Sequence, residues 1–104
     1  MELLKEKEYE LLAECQYHDK SGHIQSTKKV KLFALKFCDR DILLSALRLD
    51  NQFEALKILT EKGYIAPIQE GKLKIDNLDF RIAIVLLEEY SESFLDVSPF
   101  LPKK

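Results

Sequence analysis

The stretch Asp41 to Asn77, DILLSALRLDNQFEALKILTEKGYIAPIQEGKLKIDN, constrains the fold more than any other part of this chain. Asp39 or Asp41 can open a helix whose apolar side is Ile42, Leu43, Ala46 and Leu47. A tight turn around Leu49-Asp50-Asn51 follows. Asn51 can cap the next helix, with Glu54 placed to reach back as a capping-box carboxylate. Phe53, Leu56 and Leu59 form the stripe of that helix, widened by Ala55 and Ile58. Gly63 suits its end, because a residue without Cβ adopts the left-handed conformation without steric penalty. Tyr64–Ile68 and Leu73–Ile75 then flank Gln69-Glu70-Gly71-Lys72, which predicts a hairpin with Gly71 at the tight position. Pro67 cannot donate a ladder hydrogen bond, so its strand is expected at a sheet edge.

The flanking segments also read as helical. Over Glu2–Gln16, Leu4, Leu11, Leu12 and Cys15 fall on one helical face while Lys5, Glu6, Lys7 and Glu10 fall on the other. His18-Asp19-Lys20-Ser21-Gly22 is a turn signal, with a short strand allowed at His23-Ile24-Gln25. Ser26 or Thr27 can cap a second helix in which Val30, Phe33, Ala34 and Phe37 recur at i, i+3, i+4 and i+7. Phe80–Tyr90 reads as a final helix, although its continuous apolar run also fits a buried strand. Residues 91–104 are expected to form an irregular C-terminal strap. The expected architecture is one mainly α domain (α+β) with a small β-hairpin wing.

Composition narrows the function classes. With 104 residues, 46% apolar and 33% charged, the chain fits one soluble globular domain. Its longest apolar run, Ile82 to Leu87, is far short of the ~20 residues needed to span a bilayer. The start, Met1-Glu2-Leu3-Leu4-Lys5-Glu6, lacks signal-peptide character, and two cysteines in that setting suggest free thiols and a cytoplasmic location. A net charge of −2 argues against bulk coating of nucleic acid. Charge is segregated, however. Lys28, Lys29, Lys31, Lys36 and Arg40 meet only Asp39 between positions 28 and 40, whereas Asp76–Asp96 is strongly acidic.

Taken together, Ala46-Leu47-Arg48-Leu49-Asp50, the helix Ala55 to Lys62, Gly63-Tyr64-Ile65 and Gly71-Lys72-Leu73-Lys74-Ile75 resemble the winged helix-turn-helix superfamily over Gly22–Asn77. The subset resembled most is the DNA-binding domains of bacterial regulators and phage replication organisers. The resemblance implies DNA contact through the helix that starts at Asn51. Asn51 and Gln52 can each read adenine in bidentate fashion, and Lys28, Lys29, Lys31, Arg48, Lys72 and Lys74 can meet phosphates. Helix capping by Asn51 and a solvated lysine face account for the same residues without a ligand.

Asp41 to Leu47, Asp50 to Leu59 and Lys62-Gly63-Tyr64 also resemble an ankyrin repeat, a protein-binding unit that needs several stacked copies. No second clear copy follows. Cys15-x2-His18-x4-His23…Cys38 holds four residue types that bind zinc, but Cys38 stands alone and fits a core position. No nucleophile motif occurs, so no enzyme and no cofactor are expected. Two readings result. One is a nucleic-acid-binding regulator or replication accessory. The other is a protein-interaction module, inhibitor or adaptor acting through its acidic C-terminal part or apolar tail. A homodimer is compatible with either, and a membrane partner with neither.

Overall fold

A computed structural model describes residues 4–42 and 52–96. Four strands, β1 (Glu6–Asp19), β2 (Ile24–Phe33), β3 (Ile65–Pro67) and β4 (Gly71–Leu73), form one antiparallel sheet in the order β3-β2-β1-β4. Among the described residues two helices, α1 (Gln52–Glu61) and α2 (Phe80–Tyr90), accompany it. The expectation of a mainly helical domain is therefore corrected: the first two expected helices are the two long strands at the centre of the sheet.

The residues explain the difference. Between positions 6 and 18, Tyr9, Leu11, Cys15 and Tyr17 turn inward while Glu6, Glu8, Glu10, Gln16 and His18 stay exposed. That is the two-residue period of a half-buried strand. A helical stripe would bury Leu4 and Leu12, which are 50% and 75% exposed. On β2 the buried residues are Thr27, Val30 and Leu32 rather than the helical set, and Phe37 is 82% exposed in a 3-10 turn, Phe37–Asp39. The Arg40 guanidinium covers the Phe37 ring at 4.9 Å. Of the helix expected from Asp41, only Asp41 and Ile42 lie within the described residues, and both are helical.

The turn at Asp19–His23 forms where its residues predict it, but it joins two strands. Asp19 Oδ1 accepts the N–H groups of Ser21 and His23, each at 2.9 Å, and Gly22 takes a φ of +83°. The hairpin register then slips between Glu10 and Cys15, where Leu11 to Glu14 bulge from the ladder. Buried Thr27 steadies β2 at this slip. Its hydroxyl accepts from the Lys29 N–H and donates to the Lys29 carbonyl, both at 3.1 Å. Bulges of this kind bend a strand and increase its twist.

β3 falls within the expected Tyr64–Ile68 segment and is an edge strand, as Pro67 requires. β4 begins at Gly71, two residues before the expected Leu73–Ile75, so Gly71 and Lys72 lie in the strand and Ile75 opens a 3-10 turn. Their ladder bonds differ from a simple hairpin: β3 pairs with β2 and β4 pairs with β1. Gly71 is accordingly a point of close approach. A Cβ there would meet the His18 carbonyl oxygen at 2.1 Å.

α1 ends as expected. Gly63 has φ +82°, the Tyr64 N–H donates to Leu59 O at 2.9 Å and the Gly63 N–H donates to Thr60 O at 3.3 Å. This is the paired bonding of a Schellman stop. α2 spans the expected residues and continues through a π turn, Ser91–Leu95. The two helices and the inner sheet face enclose Leu32, Leu56, Leu59, Ile65, Leu86 and Tyr90. Tyr90 keeps its hydroxyl satisfied by donating to Phe33 O at 2.7 Å. Among the described residues no helix is long and apolar enough to cross a membrane.

Candidate interaction surface

The lysines singled out from the sequence are spread along a mixed-charge sheet. Lys29 and Lys31 stand across from Glu10 and Glu8, and the Lys31 ammonium lies 3.9 Å from Glu6. Opposite charges facing each other across strands stabilise the pair and leave little net field for a phosphate backbone. Lys28 is exposed beside the register slip. Lys72 pairs with His18 at the far end of β1, and Lys74 donates its backbone N–H to Gln16 O at 3.0 Å. Gln52 is half-buried in a groove between α1 and α2 whose wall contains none of these lysines. Arg48 and Asn51 lie outside the described residues.

The residues considered for zinc are dispersed in character. Cys15 is buried, with its thiol donating to Thr27 O at 3.5 Å, and burial pushes that thiol up from its usual range. His18 and His23 are exposed, and Cys38 is an exposed free thiol beside Asp39. Among the described residues no group of three His, Cys, Asp or Glu side chains could hold a metal ion.

Sequence reasoning missed an aromatic ridge. Phe53 near the start of α1 and Phe80 at the start of α2 meet with ring centroids 5.1 Å apart. They are 45% and 62% exposed, and Ile84, one turn further along α2, is 39% exposed. Apolar residues grouped on a surface in this way mark interaction sites more often than isolated ones do. The helical spacing predicts Phe53 in the core stripe of α1. Ala55, Leu56 and Leu59 fill that role, which turns Phe53 to the rim.

Phe53 divides two grooves. One, of about 260 Å3, runs along Gln52, Phe53, Ile84 and Leu87 and is edged by Glu88 and Glu92. The other, of about 350 Å3, is walled by Phe53, Phe80, Ile75 and Leu78 and edged by Glu54 and Asp76. Among the described residues none of these four carboxylates forms an ion pair. Glu89 is different in kind, because it is paired with Lys7 of β1.

A cap positions Phe80. The Asp79 carboxylate accepts the Arg81 N–H at 2.9 Å and the Arg81 guanidinium at 3.1 and 3.0 Å. The guanidinium first, and then the backbone N–H, hold the Asp79 carboxyl down to about 2. The folded value lies below the ordinary 3.8, so the stabilisation is complete above that value. It is lost as the pH falls through about 2. Asp79→Ala is expected to lower the melting temperature near neutral pH, with the gap from the wild type closing toward about pH 2. Thermal melts across that range measure it, and a constant gap would remove Asp79 as the cap.

A second polar cluster ties the Phe37–Asp39 turn to the end of α1. Asp39 accepts from the Lys62 ammonium at 2.7 Å and from the Tyr64 hydroxyl, which itself accepts the Lys36 N–H at 3.3 Å. These two donors, Lys62 first, hold the Asp39 carboxyl below its usual range. These bonds join the turn to the helix end, which is the arrangement of a structural clasp.

Fold and surface together define a small α+β domain with a four-stranded antiparallel sheet and an aromatic, acid-edged face between its helices. Comparison with protein-family models, curated proteins and solved structures gives no match to the chain.

Proposed function

We propose that this protein acts by binding another protein, as an interaction module, inhibitor or adaptor, and not by catalysis. The carrying observation is the exposed Phe53–Phe80–Ile84 ridge between two apolar grooves. Aromatic side chains, phenylalanine included, are enriched in protein interfaces relative to the rest of the surface. Both cysteines are free thiols, which supports a cytoplasmic setting.

The nucleic-acid reading draws its support from Lys28, Lys29 and Lys31, and their glutamate neighbours weaken it. The test pairs two measurements. A nuclease-treated lysate of the native host is passed over the wild type and over a Phe53→Ser/Phe80→Ser variant whose circular dichroism matches it. A partner retained by the wild type and lost by the variant is the expected result. Mobility shifts with random-sequence DNA and RNA at low salt are expected to be absent. A shift that disappears in Lys28→Glu/Lys29→Glu, together with no partner sensitive to the phenylalanines, would overturn the proposal.

A further inference from the structure

We infer that the partner presents a basic amphipathic helix to this face, an inference that rests on the protein-binding reading above. Three observations carry it. Two separate grooves share Phe53 as a common wall, so a single partner can seat successive anchors on either side of one ring. At about 260 and 350 Å3, one lies below and the other near the bottom of the range for small-molecule sites, roughly 300–1,000 Å3, and both suit side-chain anchors. Among the described residues their edges carry Glu54, Asp76, Glu88 and Glu92 against one cation, Lys57, and those four carboxylates form no ion pair there.

The chemistry of the walls selects the partner's conformation. The grooves are lined by residues of α1, α2, the π turn that follows α2 and the stretch around the Ile75–Asn77 turn, and no sheet strand contributes to them. A partner adding itself as a strand would need a free ladder edge, which this face does not offer. A helix needs only apolar anchors at i, i+3 or i+4 and i+7, with its backbone satisfied internally. Lysines or arginines flanking those anchors would meet the four carboxylates at the rim. There they speed encounter and exclude acidic competitors more than they add to affinity.

Fluorescence anisotropy with labelled model helices of about five turns tests this. The probes are a leucine–lysine helix with one apolar face, a leucine–glutamate helix with the same leucine spacing, and a leucine–lysine peptide of scrambled order. The expected result is that the amphipathic basic helix binds about tenfold or more tighter than either of the others, and more weakly at high salt. Glu88→Lys/Glu92→Lys, with both sites exposed, is expected to weaken it by a similar factor, as is Phe53→Ser/Phe80→Ser.

Equal binding of the leucine–glutamate helix would overturn the basic character of the partner while leaving the protein-binding reading intact. Equal binding of the scrambled peptide, or indifference to the phenylalanine pair, would reduce the effect to bulk charge attraction and overturn the inference. Binding by none of the peptides overturns it as well. The protein-binding reading falls separately, if no partner in the lysate depends on Phe53 and Phe80.

Discussion

Leu32→Ala is expected to lower the free energy of unfolding by about 2–5 kcal/mol, whereas Phe37→Ala is expected to change it by no more than about 1 kcal/mol. Leu32 is fully buried on a central strand, with Lys7 across from it on one side and Ile65 on the other. Its removal leaves a cavity that two ladders hold open, so neighbouring side chains cannot collapse into it. Phe37 touches little beyond the Arg40 guanidinium above its ring and is already 82% in water. Urea denaturation of the two variants gives a direct comparison. The contrast is diagnostic, because a helix over these residues would bury Phe37 with Val30 and Phe33 and turn Leu32 away. A large loss for Phe37 with a small one for Leu32 would remove β2 from the sheet.

Gly71→Ala is expected to cost about 3 kcal/mol or more, well beyond Gly63→Ala at about 1 kcal/mol. Both glycines have positive φ, +149° and +82°, so alanine is strained at each. They differ in surroundings. The Gly63 Cβ would meet nothing within 4 Å, whereas that of Gly71 would lie 2.1 Å from His18 O and 3.0 Å from the Tyr17 ring. The first neighbour is backbone within a paired strand and cannot swing aside. Relief requires β4 to part from β1, breaking the pairs Tyr17–Leu73, His18–Lys72 and Asp19–Gly71. Amide hydrogen exchange should therefore rise along Tyr17–Asp19 and Gly71–Leu73 in Gly71→Ala and stay near wild type in Gly63→Ala. Equal exchange in both would mean that the close approach at His18 carries no special weight.

Local chemistry made part of this fold legible. The Gly63 stop, the Asp19–Gly22 turn, the Phe80 start of α2 and the edge position of Pro67 each follow from one residue's own conformational limits. The long hairpin was hidden because its residues are also good helix formers. Leucine, lysine and glutamate suit a helix, and Leu4, Leu11, Leu12 and Cys15 happen to fit a helical spacing. The alternation of Glu6, Glu8 and Glu10 with Lys7, Tyr9 and Leu11 was the contrary signal, and it carried the two-residue period outright. The register slip between Glu10 and Cys15 blurred that period by placing Leu12 among exposed residues.

The surface was less legible than the fold. Lys28, Lys29 and Lys31 read as a basic run along the chain, yet Lys29 and Lys31 stand across from Glu10 and Glu8 of the other strand, with Glu6 also beside Lys31. Phe53 and Phe80 are far apart in sequence and meet only because α1 and α2 pack side by side. No periodicity within either helix announces that meeting.

What the sequence by itself determined is therefore local: the turn that ends at Gly22, the stop of α1 at Gly63, the extended edge segment around Pro67 and the bounds of α2. Those choices depend on backbone sterics and on hydrogen bonds spanning a few residues. Only the tertiary structure decided that Glu6–Phe33 is a strand pair, that β3 and β4 bond to different neighbours, and that two phenylalanines share a rim with four carboxylates. Each of those depends on contacts between distant residues. Their free energy exists only once the chain has closed, and it outweighs helix propensities of roughly a few tenths of a kcal/mol per residue.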